Sequence, residues 1–147
     1  MQRIPASVPT SFAMAAVLAL AAGTPALAQD YAIIGVGMFD RNVPGGGVDD
    51  ADADFNGEFD FAAGQVCYYL EVNGLPDADG AAIHRGRENA TGEVVVALEL
   101  PDPPGDEVCV AADGALLRRM ADRRADYYVV VTTPDFPEGA VRAQLSD

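Results

Sequence analysis

The chain has 147 residues, and its nine basic residues, all arginine, face 23 aspartates and glutamates for a formal net charge of −14. Such a surface repels phosphate backbones and anionic membranes. That excludes nucleic-acid binding and leaves cations, basic proteins or plain solubility to account for the charge.

Residues 1–28 read as a secretory signal peptide. One charge, Arg3, precedes the apolar run Ser11–Gly23, and Ala26-Leu27-Ala28 supplies the small-x-small cleavage pattern. The run is shorter than the ~20 residues a membrane span needs. No cysteine follows the cleavage point, so neither membrane insertion nor a lipid anchor is expected. The expectation is cleavage after Ala28 and a periplasmic or secreted mature protein. Its residues 29–147 are long enough for one domain with one core.

Short strands dominate the mature chain. Tyr31–Phe39 is apolar with two glycines, as in a strand that bends. Arg41–Asp54, glycine-rich and then acidic, reads as a loop. Phe55–Phe61 alternates. Gln65–Asn73 is a clearer strand, with Val66, Tyr68, Leu70 and Val72 on one face and Cys67, Tyr69 and Glu71 on the other. After the turn cluster NGLPDADG come a short strand at Ala81–His84 and the loop RGRENATG. Glu93–Leu100 places Val94, Val96, Leu98 and Leu100 on one face, and PDPPGD ends it. Glu107–Ala111 carries Cys109.

One segment changes period. DGALLRRMADRR sets Leu116, Leu117, Met120 and Ala121 at helical spacing, with Asp113 as N-cap and arginines toward the C-terminal end, where they suit the helix dipole. Asp126–Thr133 is the strongest strand, PDFPEG a turn, and AVRAQL the returning arm of a hairpin. About seven to eight short strands with one short helix predict an all-β fold, a β-sandwich or Greek-key barrel.

Cys67 and Cys109 are the only cysteines, with forty-one residues between them. In an exported chain a lone pair most simply forms a disulfide, which would stabilise by roughly 4 kcal/mol in the chain-entropy model. A two-cysteine metal site needs further histidines or thiols that the sequence lacks.

The chemistry-bearing residues are few. His84 is the only histidine. One imidazole cannot build a copper or zinc redox centre, and no Gly-x-Ser-x-Gly provides a nucleophile for it to serve. A structural His84, hydrogen-bonded to a neighbouring loop, is the favoured reading. Asp52, Asp54 and Asn56 alternate before Gly57, as in the first half of a calcium loop, and Asp60 could close a smaller site. Ala63 stands where such a loop needs its bidentate glutamate, so an acidic turn kept soluble by charge competes with calcium. Arg142 and Gln144 share a face of the last strand, with Tyr128 expected nearby. They are candidate binding residues, or an arginine that satisfies carbonyls within the fold. No feature selects two carboxylates as a glycosidase pair.

From Cys67 to Leu145 the chain resembles the CHRD (chordin-type) domain. The resemblance is carried by VCYYLEVNGL, AAIHRG, GEVVVALELP, LLRRMADRRADYYVVV and DFPEGAVRAQL in that order. The upstream FDRNVPGGGVDDADADFNGEFDF fits the family's opening strand, Val-Pro turn and acidic loop less tightly. The resemblance implies an immunoglobulin-like β-sandwich, comparable with the copper-zinc superoxide dismutase fold, and an exported location. It implies no particular activity. The family often shows His-x-His before its Arg-x-Gly loop, where this chain has Ala82 and His84. A family strand Tyr-Tyr-Val-Asn-Val-His-Thr has Val130 and Thr132 at its Asn and His positions here, and Arg-Gly-Gln-Leu has become Arg142-Ala143-Gln144-Leu145. The expectation is a non-enzymatic binding or structural module for a protein or another envelope component. Its alternative is a metal-binding protein, with calcium at 52–60 or a degenerate metal-enzyme site around His84.

Overall fold

The computed structural model describes residues 29–147; the expected signal peptide lies outside the described residues. The chain forms eight antiparallel strands, β1 (Tyr31–Phe39), β2 (Asp52–Asp60), β3 (Gln65–Asn73), β4 (Gly80–Arg85), β5 (Val94–Leu98), β6 (Val108–Ala111), β7 (Tyr127–Thr133) and β8 (Phe136–Gln144). One helix, α1 (Gly114–Asp122), lies between β6 and β7. All eight strands belong to one sheet in the order β5-β4-β7-β8-β1-β2-β3-β6. Of the two all-β architectures expected, the chain takes the barrel-like form, a single nearly closed sheet, instead of a pair of facing sheets.

Strict alternation drives the barrel wall. In β2, Ala53, Phe55, Gly57 and Phe59 point inward and Asp54, Asn56 and Glu58 outward. In β3, Val66, Tyr68 and Leu70 fill the interior. These residues meet Ile34, Val36 and Met38 of β1, Ile83 of β4 and Val129, Val131 and Val141 of the β7–β8 hairpin in one core. α1 contributes Leu117 and Met120 to that core, and the Asp113 carboxylate caps it by accepting from the Leu116 N–H at 2.8 Å.

The β1–β8 ladder is short, with one register pair, Phe39 opposite Arg142. Beyond Phe39 the 40–48 segment takes over the β8 edge. The Val48 N–H donates to the Ala140 carbonyl at 3.0 Å, and Asn42 Nδ2 donates to the Arg142 carbonyl at 3.1 Å.

β5 and β6 are the two free edges, and the gap between them is bridged from β3 to the residue that follows β5. There the buried Tyr68 hydroxyl donates to the Glu99 carbonyl at 2.7 Å and accepts from the Glu99 N–H at 2.6 Å. Burial pushes this hydroxyl above its ordinary pKa, the Glu99 N–H pulls it back, and the Glu99 carboxylate pushes it up again. The expected disulfide is present: Cys67 and Cys109 are direct cross-strand partners and bond β6 to β3.

Several boundaries differ from expectation. Residues 52–54 belong to β2, not to the preceding loop, because Ala53 buries against the core. β8 begins at Phe136, so most of the PDFPEG turn is strand and only Pro134 and Asp135 turn the chain. β5 is shorter than Glu93–Leu100, and Val94 is 54% exposed where burial was expected. Opposite the Ile83–His84 step, β5 carries one extra residue, Val95, and this β-bulge shifts the register and turns Val94 outward beside His84.

Candidate functional site

Three of the candidate binding residues stand abreast on the sheet. His84 of β4 lies opposite Tyr128 of β7, and Tyr128 opposite Gln144 of β8. Arg142, two residues before Gln144, shares their face by the period-two rule. That face is the outer one, since Tyr127, Val129 and Val131 supply the core from the other side. Yet Tyr128, Arg142 and Gln144 are only 3%, 3% and 7% exposed. The β4–β5 loop, residues 86–93, covers them.

The loop is held by its backbone carbonyls. Arg142 Nη1 donates to the Ala90 carbonyl at 2.8 Å, and Nη2 donates to the Arg87 carbonyl at 2.9 Å and to Gln144 Oε1 at 3.2 Å. Gln144 Nε2 donates to the Gly86 and Ala125 carbonyls, both at 2.9 Å. The Tyr128 hydroxyl accepts from the Gly92 N–H at 3.1 Å. His84 Nδ1 lies 2.9 Å from the Gly92 carbonyl; a carbonyl can only accept, so Nδ1 carries the proton.

Stacking completes the cluster. The His84 and Tyr128 rings stack with centroids 4.9 Å apart and planes inclined by 16°. The Arg142 guanidinium carbon sits 3.4 Å from the Tyr128 ring centroid, a cation–π contact in a partly desolvated setting. Burial pulls the Arg142 pKa below its ordinary value, while Tyr128 and Glu88 draw it back up. The guanidinium keeps its charge, and its hydrogen bonds lead to loop carbonyls and to Gln144.

Two glycines allow the loop to lie this close. A Cβ on Gly86 would come within 2.9 Å of the Tyr128 ring, and one on Gly92 would collide with the Arg85 carbonyl oxygen. The glycines bracketing RENAT were the signal in the sequence that this loop packs down on something. Beside it, a cleft of about 320 Å³ opens between Arg41, Asn42, Glu88, Asn89 and the Arg142–Gln144 pair.

The structure thus unites His84 with Tyr128, Arg142 and Gln144, whereas the sequence had linked only the last three. Each spends polar atoms on fixed backbone groups. This is the carbonyl-satisfying role weighed for Arg142 and the loop-bonded role weighed for His84. The arrangement anchors a loop across a strand face; it presents no nucleophile beside a base.

The acidic candidates are dispersed. Asp52, Asp54 and Asn56 alternate along β2 instead of wrapping a turn. Alternate strand positions lie about 6.5–7 Å apart, and a calcium ion needs several oxygens at about 2.3–2.6 Å from one point. Asp52 Oδ2 accepts from Asn73 Nδ2 at 3.0 Å, and Asp60 Oδ1 accepts from the N–H groups of Ala62 and Ala63 at 2.9 and 2.7 Å. Among the described residues, no group of three or more His, Cys, Asp or Glu side chains could hold a metal ion. The acidic stretch is therefore a wet strand face and the cap of the β2–β3 turn.

Sequence reasoning passed over two features. One is Tyr68, whose place in an apolar stripe gave no sign of its hydroxyl's partner. The other is a second cleft, where Arg85 and Arg87 meet Arg119 and Arg123 of the α1 segment.

Residues 39–145 match the model of the family described as the CHRD domain. The match takes in both the block from Cys67 onward and the looser stretch upstream. No curated protein and no solved structure matches the chain.

Proposed function

We propose, from the premise that this chain belongs to the CHRD domain family over residues 39–145, that it is an exported, non-enzymatic binding module of the cell envelope. The observation carrying this reading is the use made of its candidate binding side chains. His84, Tyr128, Arg142 and Gln144 all anchor the 86–93 loop. A scaffold that fixes a loop so firmly fits recognition through loops on a rigid frame. The signal-peptide pattern of residues 1–28 and the cross-strand disulfide fit an oxidising compartment outside the cytoplasm.

The test is fractionation of cells expressing the full chain, followed by co-sedimentation of the purified mature protein with envelope fragments. The expected result is an exported protein starting at Gln29 that sediments with envelope and is displaced by excess unlabelled protein. A protein retained in the cytoplasm, or one that never sediments with envelope, overturns the reading.

A further inference from the structure

Because every strand is antiparallel to its neighbours, the connections divide between two ends. The odd-to-even connections, residues 40–51, 74–79, 99–107 and 134–135, leave one end. Because the 40–48 segment folds back along β8 and sets Arg41 beside Glu88 and Asn89 of the other end, what remains at this end (residues 49–51, 74–79, 99–107 and 134–135) carries nine carboxylates and no arginine. The even-to-odd connections, residues 61–64, 86–93 and 112–126, leave the other with five carboxylates and five arginines, and Arg85 borders them at the end of β4. Asp30, Asp60 and Asp147 lie at this end too, so it is mixed in charge, but the arginines of the described residues gather there and the opposite end has carboxylates alone.

At the second end, Arg85, Arg87, Arg119 and Arg123 line one cleft of about 410 Å³ with Asp126 and Tyr127. Two of the four are engaged at a single nitrogen each: Arg85 Nη1 with Glu93 at 2.9 Å, and Arg87 Nε with Asp126 at 2.8 Å. Among the described residues, the Arg119 and Arg123 side chains have no ion-pair or hydrogen-bond partner, although Asp122 lies on the same segment. They stand four residues apart, where like charges on a helical segment repel. Nor does packing explain them, for both are exposed. Arg118 and Arg124, by contrast, are used locally, Arg118 over the Phe61 ring and Arg124 on the Ala121 and Ile33 carbonyls.

We propose that this cleft is a binding site for a divalent oxyanion group of the phosphate-monoester class, with Arg119 and Arg123 as its principal contacts and Arg85 and Arg87 as flanking ones. Planar guanidinium forks match the paired oxygens of such a group. The overall negative charge does not forbid this. The nine-residue strands span about 30 Å, some three times the roughly 10 Å Debye length at 0.1 M salt, so the acidic end is screened from the cleft. The same polarity would turn the arginine end toward an anionic surface. The inference rests on the binding-module reading and names what the module recognises.

The test is a titration of the mature protein with inorganic phosphate, against chloride at matched ionic strength, followed by amide and arginine side-chain NMR shifts. Saturable shifts confined to residues 85–87 and 119–127 are expected. Arg119→Gln with Arg123→Gln should weaken binding by about tenfold or more, as loss of charge-assisted hydrogen bonds requires. The Arg119→Lys, Arg123→Lys pair should weaken it less, and Arg41→Gln, in the neighbouring cleft beside Glu88 and Asn89, not at all. Shifts no larger with phosphate than with chloride, or spread over all arginines alike, overturn the proposal. Vesicles containing phosphatidic acid, compared with phosphatidylcholine alone, identify the source. Retention assigns a lipid headgroup, and phosphate binding without retention assigns a soluble or glycan-borne phosphate. Envelope co-sedimentation that survives the double glutamine variant sinks this inference and leaves the binding-module reading standing. Failure of wild-type co-sedimentation with phosphate binding intact removes that reading alone.

Discussion

The outer face of this barrel is two different surfaces. Across β4, β7 and β8 it is covered: the 86–93 loop lies over Tyr128, Arg142 and Gln144, and Val43 from the 40–48 segment packs near Gly139, which abuts Val130. Across β1, β2 and β3 it is wet, with Asp54, Asn56, Glu58 and Glu71 in solvent and Ile33 65% exposed. Strand sequences record the difference. β2 alternates strictly, while β7 reads YYVVVTT and is buried at its first five positions in succession. A strand covered on both faces has no wet side to encode, so its alternation disappears. The cover costs the fold a buried guanidinium, and the polar cluster around Arg142 satisfies it.

Substitutions can break this contrast. The largest effect is expected on the wet side, where the short β6 ladder is fastened to β3 by the disulfide. Removing it with Cys67→Ser and Cys109→Ser should cost roughly 4 kcal/mol, seen in urea unfolding as a lower midpoint matched by the reduced wild type. A midpoint unmoved by both changes would mean that the β3–β6 ladder needs no bond.

On the covered side, Arg142→Met keeps much of the bulk but strips the donors from the Ala90 and Arg87 carbonyls. A loss of about 2–3 kcal/mol is expected, with faster amide exchange over 86–93. If exchange there stays at wild-type rates, the loop is held by something other than Arg142.

Tyr68→Phe, at the gap between the free edges, should cost about 1–2 kcal/mol, and it carries a pH signature. The folded Tyr68 pKa is raised mainly by burial, so above the unfolded value of about 10 the unfolded chain loses a proton that the folded chain retains. Stability from this group is present below that pH and falls as pH rises through it toward the folded pKa. A stability–pH profile between about 9 and 11 should be flatter in the phenylalanine variant; an equal slope would remove Tyr68 as its source.

The smallest effect is expected on the wet strand. Asp54→Ala should change stability by no more than about 0.5 kcal/mol, and millimolar calcium should leave the melting temperature of both proteins unchanged. A calcium-dependent rise lost in the variant would show that β2 carboxylates come together in a way their strand spacing opposes.

Much of this was legible in the chain because it depends on local periodicity. The inward stripe of β3, the helix with its Asp113 cap, the pairing of Cys67 with Cys109 and the count of strands all follow from spacing and from which residues water excludes. Residues 52–54 were misplaced by the same local reasoning, since they continue an acidic, glycine-rich loop in composition and only burial of Ala53 draws them into a strand. Val94 shows a similar limit: its outward turn follows from a bulge at Val95, which is set by the pairing with β4 and not by the period of its own segment.

By itself, then, the sequence determined the all-β class, the core stripes, the disulfide and the family resemblance. Only the tertiary structure decided that the strands join one sheet, that His84 stacks on Tyr128 beneath a folded-back loop, and that four arginines from β4, its loop and the α1 segment share a cleft. The physical reason is range. Hydrophobic periodicity acts between neighbours a few residues apart, whereas the contacts of Arg142 with residues 87 and 90 and the meeting of Arg87 with Arg119 exist only once distant segments are brought together.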